Sequence, residues 1–584
     1  MFEKVLVANR GEIAVRIIRA LKEMGVVSVA VYSDVDRGSF HTHLADEAYH
    51  VGPALATESY LNIEKLIEVA RRSGAEAVHP GYGFLAESAP FARAVGEAGL
   101  VWIGPHPEAM EAMGSKVDSR RIMREVGVPM TPGTEDPIKS ADAVFDFAAE
   151  YGYPVAVKAS AGGGGKGFAV ALDDEGAATA FERARREGEA YFGDGSVYLE
   201  KYLPAPRHVE IQVVRDKHGN AVHLGERDCS IQRRHQKLLE ECPSPAIDPS
   251  MREEMGRAAV EAAEAVGYDN VGTVEFLVQD DEFYFLEMNT RVQVEHPVTE
   301  EVTGIDIVQT GIRIAAGERL PFSQEDVVWR GHALEVRVNA EDPANDFVPS
   351  PGTVAAYEEP GGPGVRVDSA LQGPGVVPES YDPLFAKLIV RGANREDALR
   401  RLRRALGEFR IEGIATTLPF FGAILDDEVF VKGNYTTGFV AKRLGELGIE
   451  AHPAGLEVGG VLSEETREVE VEVNGKLFRV RVYGDEAGAG DAGRGYARAP
   501  VRRGRKRKWG AAGSEGTVVA PMQGTIMKVL VEAGQEVDAD EAVCVLEAMK
   551  MESEIRAKKA GVVSEVLVEA GKTVRSGDPL IVLE

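Results

Sequence analysis

Acidic residues in the segment 273–300 have the types and spacing of a divalent-cation site. The segment reads as a β-hairpin with Asp280-Asp281 at its turn, and antiparallel pairing about that turn places Glu275 opposite Glu287. Facing carboxylates repel unless a cation joins them, and Mg²⁺ prefers carboxylate oxygens together with substrate phosphates. Strand alternation continues the row through Asn289, Arg291, Gln293 and Glu295. We therefore predict a metal site here; the alternative is the solvated polar face of an edge hairpin.

A glycine-rich loop at 162–167 has the composition of a phosphate-binding loop. It is predicted to join two strands, YPVAVKA and GFAVAL, and it lies between Lys158 and Lys166. Glycines let backbone N–H groups approach a polyphosphate, and the lysines neutralise its charge. Gly167 follows Lys166, so the loop is not a Walker A motif, and a flexible turn is the alternative. The predicted contacts are Gly163, Gly164, Gly165 and Lys166, with Lys158 before them.

The last segment contains an internal repeat, because 524–547 aligns without gaps on 561–584. Short strands and glycine turns in each copy predict a small β-sandwich with pseudo-twofold symmetry. The joint between the copies, Ala548-Met549-Lys550-Met551, then becomes an exposed hairpin with Lys550 at its tip. This arrangement resembles the biotin carboxyl carrier domain, in which the lysine is covalently biotinylated. An ordinary surface lysine between two core methionines is the alternative.

Composition excludes several classes of protein. The 584 residues suggest three to five domains, and 66 basic against 94 acidic residues give a net charge of −28, which repels nucleic acid and anionic membranes. No stretch approaches the roughly 20 apolar residues of a membrane span, and no signal peptide is expected. Cys229, Cys242 and Cys544 are too scattered for a disulfide framework or a zinc site. We predict a cytoplasmic enzyme.

The pattern along the chain predicts a multidomain α/β and α+β fold. It begins with a strand–helix–strand unit, KVLVAN, Ile13 to Leu21 and VVSVAVYS, and extends into an open sheet with His79-Pro80-Gly81 at a strand's carboxyl end. A hairpin with an Asn474-Gly475 turn follows residue 450. The basic residues of 502–508 lie in a predicted linker; a solvated linker or a contact for an acidic partner is favoured over nucleic-acid binding.

Taken together, the motifs resemble the biotin carboxylase family of ATP-grasp enzymes from Val5 to about Arg443. The motifs are VLVANRGEIAVRIIRA, HPGYGFLAE, GGGGKG, RDCSIQRRHQKLLEE, EMNTRVQVEHPVTE and EDP followed by PSPG. With the carrier segment, the chain resembles the biotin-containing α subunit of an actinobacterial-type acyl-CoA carboxylase. One departure follows the glycine loop, where Phe168 and Ala169 replace the family's usual Met and basic residue.

The resemblance implies a division of the chain into six parts. They are a Rossmann-like N-terminal domain at 1–114, an ATP-grasp domain at 115–330, a C-terminal domain at 331–446, a hairpin segment for the association of subunits at 447–484, a basic linker at 485–516 and a flattened, lipoyl-like β barrel carrying biotin at 517–584.

The same resemblance implies roles for individual residues. Glu295 would be the general base for bicarbonate, Arg291 its anion ligand, and Lys237 a lysine near the transferred phosphate. Arg337 would stabilise the enolate-like oxygen of biotin, although alone it reads as a salt-bridge residue. Glu275, Glu287 and Asn289 would hold Mg²⁺ or Mn²⁺. The remaining implied nucleotide-site positions are Lys116, Glu200, Lys201, Leu203, His208, Gln232 and His235.

The implied activity is the ATP-dependent carboxylation by bicarbonate of biotin on Lys550. No further large domain follows in the sequence, so a separate carboxyltransferase β subunit is expected to receive the carboxyl group for acetyl-CoA or propionyl-CoA. Biotin protein ligase is the expected modifying partner, and a homo-oligomer within a larger hetero-oligomer is expected by analogy. The alternatives are another acceptor (pyruvate, urea or a branched-chain acyl-CoA) and a non-catalytic biotinylated carrier.

Overall fold

The computed structural model describes residues 1–134, 136–160, 167–449, 467–473, 476–482, 517–520, 524–548, 551–557, 559–574 and 578–583. For 116–117, 191–192 and several strand residues of the carboxyl-terminal part, only the backbone is described. The chain divides into two compact units. One contains Met1–Val377 and the residues from Pro383 to 449, and the other contains Pro378–Asp382 and the described residues after 453.

The N-terminal residues form a five-stranded parallel sheet, in agreement with the sequence pattern. Its strands lie in the order β3-β2-β1-β4-β5. The elements are β1 (Lys4–Val7), α1 (Gly11–Glu23), β2 (Val27–Ser33), α2 (Phe40–Leu44), β3 (Glu47–Gly52), α3 (Ile63–Ser73), β4 (Ala77–His79), α4 (Ala89–Glu97), β5 (Val101–Trp102), α5 (Pro107–Gly114) and α6 (Lys116–Glu125). Apolar residues of α1 pack against the sheet.

Loops at the carboxyl ends of β1 and β4 meet beside the central strand. Asn9 Nδ2 donates to the carbonyls of Pro80 at 2.6 Å and Tyr82 at 2.7 Å. Gly81 has a φ of +65°, and a Cβ there would lie 3.0 Å from Asn9 Nδ2, so a side chain is disfavoured on both counts. This is the crevice in which open α/β sheets bind ligands.

A small three-stranded antiparallel sheet, in the order β7-β6-β8, follows. Its elements are α7 (Asp142–Tyr151), β6 (Val155–Ala159), β7 (Phe168–Ala171), α8 (Asp174–Phe192) and β8 (Val197–Lys201). Lys158 pairs with Phe168 across β6 and β7. The two strands that the sequence predicts around the glycine loop are confirmed, and 161–166 lie outside the described residues.

An eight-stranded antiparallel sheet forms the centre of the larger unit, in the order β13-β12-β9-β10-β11-β14-β21-β19. Its region contains β9 (Arg207–Arg215), β10 (Ala221–Arg233), β11 (Gln236–Cys242), α9 (Pro249–Ala265), β12 (Asn270–Gln279), β13 (Glu282–Asn289), α10 (His296–Thr303), α11 (Ile307–Ala315), β14 (His332–Asn339), β15 (Glu341–Asp342), β16 (Val348–Pro349), β17 (Gly352–Val354), β18 (Ala356–Glu358), β19 (Val365–Ser369), β20 (Gly375–Val377) and β21 (Leu384–Gly392). Because β11 pairs with β14, the sheet crosses residue 330 without a break.

Tight turns fix two hairpins of this sheet. Asp280 and Asp281 have φ values of 55° and 62°, and Arg234 and His235 have φ values of 48° and 64°. Two consecutive positive φ values define a type I′ turn, which suits the twist of an antiparallel pair. The predicted turn at 280–281 is confirmed.

Helices cover the β14–β21 part of the sheet. The remaining elements of this unit are α12 (Arg395–Glu408), β22 (Arg410–Glu412), α13 (Leu418–Ile424), α14 (Glu428–Val431) and α15 (Phe439–Arg443). Leu402, Phe420 and Leu388 belong to one buried cluster there. None of the helices in the described ranges combines the length and the apolar character that crossing a bilayer requires.

The carboxyl-terminal part is entirely β structure where it is described. Strands β23 (Arg467–Val473) and β24 (Lys476–Val482) form the predicted hairpin, whose turn residues 474–475 lie outside the described residues. The strands that follow are β25 (Thr517–Val519), β26 (Gly524–Val529), β27 (Glu536–Val537), β28 (Ala542–Ala548), β29 (Met551–Arg556), β30 (Gly561–Val566), β31 (Thr573–Val574) and β32 (Pro579–Leu583).

The two sequence repeats build two equivalent four-stranded sheets, β25-β32-β30-β27 and β29-β28-β26-β31. Each sheet takes one short strand from the other repeat, because β27 of the first copy pairs with β30 and β31 of the second copy pairs with β26. The predicted pseudo-twofold arrangement is confirmed. Ala548 pairs with Met551, and the intervening 549–550, including Lys550, lie outside the described residues.

Candidate active site

A row of charged side chains crosses four neighbouring strands of the eight-stranded sheet. Glu287 on β13 pairs with Glu275 on β12, which confirms the register that the sequence predicts. On its other side, Glu275 pairs with Glu210 on β9, and Glu210 pairs in turn with Arg227 on β10. Directly paired residues of antiparallel strands share a face. Three carboxylates are therefore held side by side by backbone pairing alone.

Lys237 lies at the centre of this site. Its buried ammonium donates to Glu210 Oε2 at 2.5 Å, Glu275 Oε1 at 2.8 Å and Glu295 Oε1 at 2.7 Å. Burial alone would lower the pKa of Lys237, but the three carboxylates raise it well above the ordinary value. Lys237 is therefore a fixed cation that joins a predicted metal ligand to the predicted base.

The predicted row of alternating residues after Glu287 is wrong beyond Asn289. Strand β13 ends at Asn289, residues 290–295 belong to neither a helix nor a strand, and Glu295 is the N-cap residue of α10. Gln293 nevertheless reaches Glu275 Oε1 at 3.0 Å, so an irregular segment brings together side chains that a strand could not. Because residues 290–295 include the predicted anion ligand Arg291 and the predicted base Glu295, we call them the catalytic segment.

Arg291 has a different set of contacts. Its Nη2 donates to Asn289 Oδ1 at 2.7 Å, and its Nε donates to Glu87 Oε2 at 3.0 Å. Glu87 also accepts from the backbone N–H of Thr290 at 3.2 Å. The guanidinium therefore lies beside the predicted metal ligands, but Glu87 holds it.

Arg337 on β14 connects the predicted base, Glu295, to Glu240, a carboxylate that sequence reasoning missed. Its Nε donates to Glu240 Oε1 at 2.7 Å, and its Nη2 donates to Glu295 Oε2 at 2.8 Å. Burial raises the pKa of Glu240 to about 7, although Arg337 acts in the opposite direction. Burial would likewise raise the pKa of Glu295, but Lys237 and Arg337 hold it well below its usual range. Glu295 is therefore ionised and accepts from two cations.

Glu275 is surrounded by hydrogen-bond donors. Asn289 Nδ2 donates to its Oε1 at 2.9 Å, and His208 Nε2 lies 2.8 Å from its Oε2. Burial would raise the pKa of Glu275, but Lys237 and His208 keep it well below the ordinary value. The carboxylate stays charged in a buried place, as a cation ligand must.

The donor set here fits a hard divalent cation. Glu275 and Glu287 offer carboxylate oxygens from adjacent strands, and Asn289 adds an amide oxygen two residues after Glu287. Two groups in the described part of the chain have metal-ligating atoms close together, namely His208 with Glu210 and Glu275, and Glu210 with Cys229 and Glu295. Mg²⁺ would be held by the oxygen donors, since thiol and imidazole ligands suit softer metals.

The predicted nucleotide-site residues lie on both the small sheet and the large one. Lys158 Nζ donates to Glu200 Oε2 at 2.5 Å, and Arg120, which was not predicted, donates to Glu200 Oε1 at 2.8 Å. The Phe168 ring lies 6.4 Å from the His235 ring and 6.0 Å from Lys158 Nζ, measured between ring centroids and from the centroid to the ammonium. Phe168 therefore bridges the two sheets.

Other predicted positions have separate partners. Gln232 Nε2 lies 3.5 Å from His208 Nδ1, and Leu203 is half-buried after β8. The Lys201 ammonium donates to the backbone carbonyls of Gly152 at 2.9 Å and Tyr153 at 3.2 Å. The side chain of Lys116 and residues Gly163, Gly164, Gly165 and Lys166 lie outside the described residues.

The sequence matches four family models along its length. They are the biotin carboxylase N-terminal domain over 1–110, the ATP-binding domain of the carbamoyl-phosphate synthase L chain over 115–323, the biotin carboxylase C-terminal domain over 335–442, and the biotin-requiring enzyme model over 516–583.

Related proteins of named activity match closely. A biotin-dependent acyl-coenzyme A carboxylase alpha3 subunit from Mycobacterium leprae is 47% identical over 564 residues, covering 95% of this chain and 94% of that protein. A pyruvate carboxylase subunit from Methanothermobacter thermautotrophicus is 51% identical over 440 residues, covering 75% of this chain and 90% of that protein. The Hydrogenobacter thermophilus 2-oxoglutarate carboxylase biotin carboxylase domain, a dimer in complex with MgADP, ADP and bicarbonate, superposes with a TM-score of 0.73 at 47% identity, covering 77% of this chain and 99% of that one.

The fold, the carboxylate row and the ATP-binding match define an ATP-grasp ligase that uses ATP. More narrowly, the chain belongs to the biotin carboxylase family and carries a biotin-requiring domain in the same polypeptide. The resemblance stated from the sequence motifs is confirmed.

Proposed function

We propose that the protein carboxylates biotin attached to its own Lys550 and passes the carboxyl group to a separate carboxyltransferase, a β subunit that uses acetyl-CoA or propionyl-CoA. The observation that carries the catalytic half is the Lys237 ammonium, which joins Glu210, Glu275 and Glu295 in one buried site. Support for the acyl-CoA acceptor comes from the Mycobacterium leprae relative, whose match extends over 95% of this chain.

Bicarbonate would lie between Arg291 and Lys237. Glu295 takes the bicarbonate proton as the oxygen attacks the γ-phosphate of ATP, giving carboxyphosphate and ADP. Glu295 has a low basicity while two cations hold it. When Lys237 and Arg337 turn towards the anionic substrates, its basicity rises, so substrate binding prepares the base.

Arg337 would act in the second step. Carboxyphosphate breaks down to CO₂ and phosphate. When present, biotin would supply a ureido nitrogen that gives its proton to this phosphate and takes up the CO₂. The Arg337 guanidinium would then donate to the ureido oxygen, where negative charge would be stabilised. Its present partners, Glu240 and Glu295, orient it within the site.

Glu275 and Glu287, with Asn289 beside them, would hold the magnesium ions. When bound, Mg²⁺ would neutralise the negative charge that develops on the phosphate oxygens. Lys158 would hold phosphate oxygens, and Phe168, Leu203 and His235 would line the nucleotide site.

The acceptor and the partners are part of the proposal. Pyruvate is the second candidate, because the archaeal pyruvate carboxylase subunit is 51% identical over 440 residues. The acyl-CoA is favoured because the pyruvate carboxylase subunit match covers 75% of this chain, whereas the acyl-CoA carboxylase α3 subunit match covers 95%. We propose a homo-oligomer that binds carboxyltransferase β subunits and is modified by biotin protein ligase. A cytoplasmic location stays a prediction.

The test is ATP- and Mg²⁺-dependent incorporation of labelled bicarbonate into the purified biotinylated chain, beside Lys550→Arg. We expect labelling in the native chain and none in the variant, while both carboxylate free biotin. A native chain that is biotinylated but leaves both its own biotin and free biotin unlabelled would contradict the proposal.

The acceptor is tested on complexes captured by the biotinylated chain from the organism that makes it. Transfer of label to acetyl-CoA or propionyl-CoA supports the acyl-CoA assignment, and transfer to pyruvate alone overturns it.

A further inference from the structure

Lys387, on β21, is a buried cation that neither the sequence motifs nor the predicted chemistry uses. Its side chain is 0% exposed, and its Nζ donates to the backbone carbonyl of Val294 at 2.8 Å. Burying an ammonium is costly unless a specific partner compensates. The partner here is a carbonyl of the catalytic segment, one residue before Glu295.

Several groups fix the position of this ammonium. Glu12, in the first turn of α1, lies 3.4 Å from it through Oε2, and the Tyr82 ring centroid lies 6.0 Å away. Among the described residues, neither oxygen of Glu12 has a hydrogen-bond partner, so the ion pair with Lys387 is its main compensation. Lys387 therefore touches three separate parts of the N-terminal and central regions: α1, the 79–83 loop and the catalytic segment.

Backbone register links Lys387 to the catalytic arginine. Lys387 on β21 pairs directly with Arg337 on β14, and on its other side it pairs with Asp368 on β19. The same pair of strands thus places the arginine that contacts Glu295 and the lysine that holds the carbonyl before Glu295. A shift of β21 would move both.

The catalytic segment has little regular hydrogen bonding, because only its last residue, Glu295, joins a helix, as the N-cap of α10. In the described structure, the groups outside the segment that hold its backbone are Glu87 at the Thr290 N–H, His296 at the Gln293 carbonyl through Nδ1 at 2.7 Å and its N–H at 3.4 Å, the Val298 N–H at 3.4 Å from the Glu295 carbonyl, and Lys387. Of these, only Lys387 acts on Val294, the residue before the predicted base. An irregular segment held by few contacts loses its geometry when one is removed.

We propose that Lys387, anchored by Glu12, is a positioning residue that holds the catalytic segment so that Glu295 meets Lys237 and Arg337. The expected effect on kcat rests on the proposed function. The expected effect on the structure of the catalytic segment rests on the geometry alone. Lys387 touches no reacting atom and acts through the Val294 carbonyl.

The test compares Lys387→Met with Lys4→Met, a matched control whose ammonium likewise joins a carbonyl, Ser73 O at 2.8 Å, to a carboxylate, Glu47 Oε1 at 2.7 Å. We expect Lys387→Met to lower kcat for bicarbonate-dependent ATP cleavage at least tenfold, with the KM for ATP changed less than twofold. Lys4→Met should keep the native kcat. A folded Lys387→Met enzyme with native kcat overturns the proposal.

A double-mutant comparison isolates the anchoring role of Glu12. Glu12→Gln should lower kcat less than Lys387→Met does, and the double variant should be no slower than Lys387→Met alone, because Glu12 acts through Lys387. If the kcat losses of the two single variants multiply in the double variant, Glu12 does not act through Lys387, and its anchoring role is wrong.

Hydrogen exchange separates this inference from the proposed function. Amides of 291–295 should exchange at least tenfold faster in Lys387→Met than in the native chain, and they should be unchanged in Lys4→Met. A native chain without bicarbonate-dependent ATP cleavage would overturn the proposed function, and the exchange rates would still decide the positioning role. If the amides of 291–295 exchange at the native rate in Lys387→Met, the positioning role of Lys387 is overturned.

Discussion

At the scale of single residues, the carboxylate of Glu275 has two possible cationic partners, the Lys237 ammonium and a metal ion. The Lys237 ammonium contacts Oε1 of Glu275, a predicted magnesium ligand. We therefore expect the lysine to act as the counter-cation of that carboxylate when no metal is bound. This contact predicts that Lys237 and the metal compete for the Glu275 carboxylate.

We expect Lys237→Met to bind Mn²⁺ about fivefold more tightly than the native chain without nucleotide, because removing one positive charge leaves Glu210 and Glu275 less compensated. Electron paramagnetic resonance of free Mn²⁺ measures the affinity, with Lys4→Met as the control. Equal or weaker binding by Lys237→Met would show that the lysine does not compete with the metal.

Glu287→Gln tests the other predicted ligand. The variant should lose bicarbonate-dependent ATP cleavage at least 100-fold, because an amide is a poorer ligand for Mg²⁺ than a carboxylate. Glu282→Gln, on the same strand and bonded to the Tyr284 hydroxyl, is the matched control and should keep its activity. Retained turnover of Glu287→Gln at saturating Mg²⁺ would refute the ligand role.

At the scale of elements, hairpins were predictable from the sequence and irregular segments were not. The turn at 280–281 determines which residues face one another, so the pairing of Glu275 with Glu287 followed from local pattern. The strand pattern failed at residue 290, because polar alternation cannot show that pairing stops there. Contacts inside the catalytic segment depend on Glu87 and Lys387, which come from distant elements.

The missed site residues have the same physical explanation. Three site residues were missed, namely Glu210, Arg227 and Glu240. They lie in strands with alternating polar residues, and Glu210 has no recognisable motif around it. Only the order of strands in the sheet places Glu210 beside Glu275 and Glu240 beside Glu335. Strand order depends on long-range pairing, which a local pattern does not encode.

A salt bridge in the N-terminal sheet allows an element-scale prediction. Asp36 follows β2 and accepts from Arg10, at the start of α1, through Nε at 2.6 Å and Nη2 at 2.7 Å. Burial would raise the pKa of Asp36, but Arg10 lowers it from 3.8 to about 2. The pair therefore contributes stability above pH 3.8 that is lost as pH falls towards 2.

Asp36→Asn should cost about 2 kcal/mol of stability at pH 7, by the conversion of about 1.4 kcal/mol per pKa unit. The difference from the native chain should shrink as pH falls below 4. Unfolding midpoints from pH 7 to pH 2.5 measure this, with the exposed Asp34→Asn as the control. A difference that does not depend on pH would contradict the assignment.

At the scale of the whole molecule, we expect the carrier domain to fold only when both sequence repeats are present. Its core combines residues of both repeats, among them Ile526 and Leu546 from the first and Leu580 and Ile581 from the second. A chain ending at residue 558 would lack β30, β31 and β32. We expect it to stay unbiotinylated by biotin protein ligase, whereas the full chain is modified; labelling of the shortened chain would contradict this.

The exchange of β27 and β31 between the repeats has a consequence for synthesis on the ribosome. Position 550 is translated before the second repeat, yet the sheet that contains β28 and β29 takes its last strand from residues 573–574. Lys550, the predicted attachment lysine, thus leaves the ribosome ahead of the strands that complete its domain. An enzyme that recognises the folded carrier would therefore meet its target only after residues 573–574 have also left the ribosome.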